Sequence, residues 1–66
     1  MHLYRFHFLD ADGAVTHRQS VQLPTDGAAT SLGHRLLAAR DYSSALEIWQ
    51  LNHLVYRETI ARIAAE

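Results

Sequence analysis

Three of the chain's six aromatic residues stand at every second position of one octapeptide. From His2 to Leu9, Tyr4, Phe6 and Phe8 alternate with Leu3, Arg5, His7 and Leu9. A period of two is the spacing of a strand with one buried face, and here it commits three rings to that face. Rings of this size dominate the core of a small domain, so the remaining residues have to cover this strand. Asp10-Ala11-Asp12-Gly13 follows, and Asp-Gly is a hairpin signal because both residues tolerate positive φ. The return strand is then Val15 to Leu23. A two-residue loop at Asp12-Gly13, or a four-residue loop from Asp10 to Gly13, puts Val15, His17, Gln19 and Val21 on the side of Tyr4, Phe6 and Phe8. A simple three-residue loop reverses that parity and is rejected.

Pro24-Thr25-Asp26 marks the start of a helix, with Thr25 or Asp26 capping its first N–H groups. Over Gly27 to Arg40, steps of 100° gather Ala28, Ala29, Leu32, Leu36 and Ala39 into one stripe, while Thr30, Ser31 and His34 point away. Gly33 interrupts this helix; it marks either a close approach to the sheet or a surface glycine without a role. Ser43-Ser44 ends the helical region. Ala45 to Gln50 alternates again, with Leu46 and Ile48 on one side and Ala45, Glu47 and Trp49 on the other. Leu51-Asn52 is the next turn, although Leu adopts positive φ reluctantly. Leu54 to Glu58 is the fourth strand, pairing Val55 with Ile48 and Leu54 with Trp49. The last residues, Thr59 to Glu66, put Ile60, Ile63 and Ala64 on one side of a short C-terminal helical tail.

The expected architecture is a single small α+β domain over residues 1–66: ββαββ, a four-stranded antiparallel sheet of order 2-1-3-4, with one helix on one face. A right-handed crossover from the second strand to the third, with the first and third strands central, gives that order. The core is then Tyr4, Phe6, Phe8, Val15, Val21, Leu32, Leu36, Leu46, Ile48 and Val55. The opposite face receives Leu3, Arg5, His7, Leu9, Thr16, Arg18, Glu47, Trp49, Leu54 and Tyr56, too apolar a set for a solvated surface. Either the tail folds over Trp49, Leu54 and Tyr56, or a second copy stacks its own sheet there.

Tyr4-Arg5-Phe6-His7-Phe8, the Asp12-Gly13 turn, Leu23-Pro24 before an Ala-rich helix with Leu36-Leu37, and Glu47-Ile48-Trp49 followed by Leu54-Val55 carry a resemblance. Over residues 3 to 58 the chain resembles an uncharacterised family of short, mostly alphaproteobacterial ββαββ proteins, a domain of unknown function. The resemblance implies the fold and no activity.

Composition narrows the function. With 66 residues, 48% of them apolar, and no cysteine, disulfides and thiolate zinc sites are excluded, so stability rests on packing, on a partner chain or on a non-cysteine ligand. The longest apolar run, Leu36 to Ala39, is far too short to span a membrane, and the N-terminus lacks a secretory h-region, so a cytoplasmic location is expected. Arg residues are scattered at 5, 18, 35, 40, 57 and 62, there is no Lys, and the net charge is −1. No basic tract is offered to a phosphate backbone, so nucleic acid is disfavoured as a partner.

The five histidines, His2, His7, His17, His34 and His53, form no metal-ligand spacing, and His7 and His17 fall on opposite sheet faces. Asp10-Ala11-Asp12-Gly13 lacks the further ligands of a calcium loop, since the fifth position is Ala14. Ser20, Ser31, Ser43 and Ser44 have no base and orienting carboxylate in a recognisable arrangement, and no glycine-rich phosphate loop is present. No catalytic, cofactor or metal residue is assigned, and an enzyme is not expected. The expectation is a non-enzymatic interaction module, a homodimer or one joined to an unidentified protein, using an outer strand or the face of Leu3, Arg5, His7, Arg18, Trp49, Leu54 and Tyr56. The alternative is a weak single-stranded nucleic-acid binder in which Trp49 and Tyr56 stack bases and Arg5 and Arg18 meet phosphates.

Overall fold

The computed structural model describes residues 1–40 and 43–60 of the chain. Strands β1 (His2–Leu9) and β2 (Val15–Leu23) are followed by helix α1 (Asp26–Ala39) and strands β3 (Ala45–Gln50) and β4 (His53–Thr59). The sheet is antiparallel throughout, in the order β2-β1-β3-β4, as the alternation and the crossover rule required. The fourth strand runs one residue beyond each end of the expected segment. The helical tail expected from Thr59 to Glu66 does not begin at Thr59, which ends β4; beyond residue 60 it lies outside the described residues.

The first hairpin reaches the expected face assignment by a different route. Asp10 N–H donates to Ala14 O over 2.9 Å and Gly13 N–H to Asp10 O over 3.1 Å, with Gly13 at φ +85°. The loop is therefore the three residues 11–13, held by the Asp10 carboxylate, which also accepts from the Asp12 and Ala14 N–H groups. Such a loop alone would turn the β2 side chains over. A bulge between the Leu9↔Val15 and Phe8↔His17 pairs restores the parity, with Thr16 as the extra residue, its hydroxyl donating to Phe8 O. Beyond the bulge, His17, Gln19 and Val21 do face Phe8, Phe6 and Tyr4. Val15 lies on the loop side of the bulge, pairs with Leu9, and is 36% exposed; it does not belong to the core.

Helix α1 is capped by Thr25, whose hydroxyl accepts from Ala28 N–H. Its buried residues are Ala29, Gly33 and Leu37, a stripe turned roughly a quarter turn from the one expected, with Leu32 and Leu36 on its flank and Ala39 exposed. Gly33 is the reason. A Cβ there would stand 2.6 Å from Leu46 Cδ2, 2.7 Å from Ile48 Cδ1 and 3.3 Å from Phe6 Cε2. The helix backbone rests on the sheet at this point, so of the two roles open to Gly33 the close approach holds.

Tyr4, Phe6, Phe8, Leu46 and Ile48 from the two central strands, with Ala29 and Leu37 from α1, are fully buried. Val21, Leu23, Leu32, Leu36, Val55, Tyr56 and Ile60 pack around them. The Tyr4 hydroxyl donates to the Asp26 carboxylate over 2.5 Å, tying β1 to the first turn of the helix. That bond, with burial, pushes the Tyr4 phenol up to about 12. At the helix end the Arg40 guanidinium lies 4.8 Å over the Phe8 ring.

Candidate interaction face

Cross-strand partners share a face, so the pairings map the side of the sheet that α1 leaves uncovered. One row across it is Ser20, Arg5, Trp49 and Leu54; the next is Arg18, His7, Glu47 and Arg57. Leu3, opposite Gln22, stands diagonal to Trp49, and Leu9 lies at the far end beside Val15 and Ala45. Leu3 is 50% and Leu54 39% exposed, while Trp49 is partly buried. Of the expected face residues, Leu3, Arg5, His7, Arg18, Trp49 and Leu54 are together here.

Tyr56 is not among them. A second bulge, at Val55, shifts the register so that Trp49 pairs with Leu54 but Ile48 pairs with Tyr56. Ile48 is a core residue, so Tyr56 packs under the helix. Without the bulge Arg57 would oppose the buried Leu46; with it, Glu58 takes that place and Arg57 turns to the uncovered face. The exchange brings a ring into the core and gives the incoming carboxylate partners. Tyr56 OH donates to Glu58 Oε1 over 2.8 Å, and His34 Nδ1 lies 2.9 Å from Glu58 Oε2 and 3.0 Å from Oε1. The His34 contact, then the Tyr56 hydroxyl, hold the Glu58 carboxyl below its ordinary value; the same bond, with burial, pushes the Tyr56 phenol up. The pairing carried no sequence signal beyond an aromatic and a carboxylate two apart.

Arg57 was missed by the sequence reading and is the fourth member of the charged row. Its Nε lies 3.9 Å from Glu47 Oε2, and the Trp49 indole N–H donates to Glu47 Oε1 over 3.2 Å. Glu47 is thereby engaged from both sides. Arg5, Arg18 and Arg57 against Glu47 leave a formal charge of +2 on this face among the described residues, in a chain that sums to −1. The charge is concentrated over β1 and β2, where Arg5, His7, Arg18, Gln19 and Ser20 line an open depression of about 390 Å³. The face thus has an apolar half around Trp49 and Leu54 and a basic half around Arg5 and Arg18.

The other histidines lie apart. His17 stands with its ring 5.8 Å from Phe8 on the helix side, His2 edges Tyr4, and His53 is exposed at the start of β4. No three His, Asp or Glu side chains converge among the described residues. No described helix is long and apolar enough to cross a membrane. Against known proteins, the chain matches no family model, no curated protein and no solved structure.

Proposed function

We propose that the chain is a small non-enzymatic protein-interaction module that self-associates through the apolar half of its uncovered sheet face. The observation that carries this reading is the placement of Trp49 and Leu54 side by side on a face no described element covers, with Leu3 diagonal to them. Burying what Trp49 and Leu54 still expose is worth about 1–2 kcal/mol each by the area rule, a large share of the stability of a 66-residue domain. A two-fold axis through this half stacks sheet on sheet and meets each patch with its own copy. The +2 charge limits the contact. Stacking that overlays one basic half on the other brings like charges together, and stacking basic on apolar buries Arg5 and Arg18 without partners, so the contact centres on β3 and β4 and leaves Arg5 and Arg18 outside.

Sedimentation equilibrium from low to high micromolar concentration tests this. The wild type is expected to move from one chain toward two, and Trp49→Glu to stay at one chain. A wild type that remains a single chain at the highest concentration overturns the reading. The basic depression beside Trp49 supports the second reading, a single-stranded nucleic-acid binder, but with Tyr56 under the helix only one ring of the original pair remains for stacking. Oligonucleotide affinity falling steeply with salt would favour it over apolar self-association.

A further inference from the structure

We propose that the depression over β1 and β2 is an oxyanion site that takes a phosphate group. Arg5 lies opposite Ser20 and His7 opposite Arg18, so the two arginines occupy one diagonal of a four-residue square on this face and Ser20 and His7 the other, and all four line the depression. Among the described residues neither Arg5 nor Arg18 is within ion-pair distance of a carboxylate. The carboxylate of this face, Glu47, is occupied by Arg57 and the Trp49 indole. Like charges at diagonal positions of one face repel each other, Glu47 on the far side of His7 is the one carboxylate of the described face that counters them, and an anion seated between the two arginines offsets what remains.

Donor arithmetic selects the anion. Each guanidinium presents five N–H groups in a planar fork, and Ser20 adds a hydroxyl. A carboxylate has two oxygens and one charge, which one fork already saturates. A phosphate monoester brings three terminal oxygens and close to two charges, enough to engage both forks and the hydroxyl at once. The depression, about 390 Å³, is in the range of sites that hold small ligands. Because it sits on the half of the face that self-association leaves clear, the site stands whether or not the chain pairs.

The test is an amide NMR titration with inorganic phosphate, at ionic strength fixed with chloride. Saturable shifts are expected at Arg5, His7, Arg18 and Ser20, with affinity at least about tenfold weaker in Arg5→Gln and in Arg18→Gln. Arg5→Lys keeps the charge without the fork and should fall between them. Arg35→Gln, exposed on the helix, should bind as the wild type does, and acetate should bind more weakly than phosphate. A short oligothymidylate and a phosphate monoester form two further arms: the monoester, with three terminal oxygens and close to two charges, should bind more tightly per phosphate than the singly charged diesters, and tighter binding of the oligothymidylate would overturn the proposal. Shifts that stay linear with concentration, or that survive Arg5→Gln and Arg18→Gln unchanged, overturn the proposal, while sedimentation judges self-association separately.

Discussion

Leu51 holds φ +55° at the tip of the second hairpin with its side chain 86% exposed, so it bears the steric cost of a left-handed backbone and gains no burial in return. Replacing it with glycine removes that cost but gives the unfolded chain more freedom, and the strain is the larger of the two. Leu51→Gly should therefore stabilise the fold by about 1 kcal/mol in urea unfolding. The opposite sign is expected at Gly33. Alanine there gains about 1 kcal/mol of helix propensity, but its methyl meets the terminal carbons of the fully buried Leu46 and Ile48 side chains at 2.6 and 2.7 Å and the Phe6 ring at 3.3 Å, so these core side chains have to shift. Overpacking of this kind costs about 1–3 kcal/mol, so Gly33→Ala should destabilise on balance, whereas Gly27→Ala, exposed and 3.9 Å from its nearest neighbour, should be neutral or stabilising. The reluctance of Leu51 was legible from its residue type. The role of Gly33 was legible only as one of two alternatives, because a residue without a side chain leaves no mark in a hydrophobic pattern even where it makes the closest contact.

The same blind spot explains the helix. Periodicity placed its buried stripe by Leu32, Leu36 and Ala39, the apolar residues it could count; the backbone contact at Gly33 rotates the helix onto Ala29 and Leu37 instead. In the hairpins, alternation gave strand identity and order, but parity along a strand survives only until the first bulge. The bulge at Thr16 restores the expected faces for His17, Gln19 and Val21 and strands Val15 outside, whereas the one at Val55 moves Tyr56 from the uncovered face to the core. A bulge adds one residue without a compositional signature, so only its energetic result is readable: a ring buried and a carboxylate given partners. That carboxylate also joins β4 to α1 through His34, and the join has a pH signature. Glu58 has a folded-state value below its ordinary 4.5, so as the pH falls the unfolded chain takes up the proton first. The contribution of Glu58 to stability is present above its ordinary 4.5 and is lost as the pH falls through its lower folded-state value; Glu58→Gln should flatten that acid limb in urea midpoints collected at successive pH values, and an unchanged slope would remove Glu58 as its source.

At the scale of the molecule, one helix cannot cover both sides of a four-stranded sheet, and that much followed from counting elements. What counting did not supply is the division of the uncovered face. Arg57 came to it by a register shift, and the separation into a basic half on β1 and β2 and an apolar half on β3 and β4 depends on which strands are neighbours in space. Six of the seven expected face residues are there, and the seventh, Tyr56, packs against the core. The chain contains a single tryptophan, and it sits at the centre of the apolar half, so its fluorescence reports on this surface alone. Acrylamide quenching of Trp49 measured across a concentration series is the most direct test. The account predicts quenching that weakens, with a blue-shifted spectrum, as concentration rises from low to high micromolar, and a Leu54→Glu variant that stays fully quenchable throughout. Quenching that is the same at every concentration would mean that no second copy covers this face, and would contradict the account.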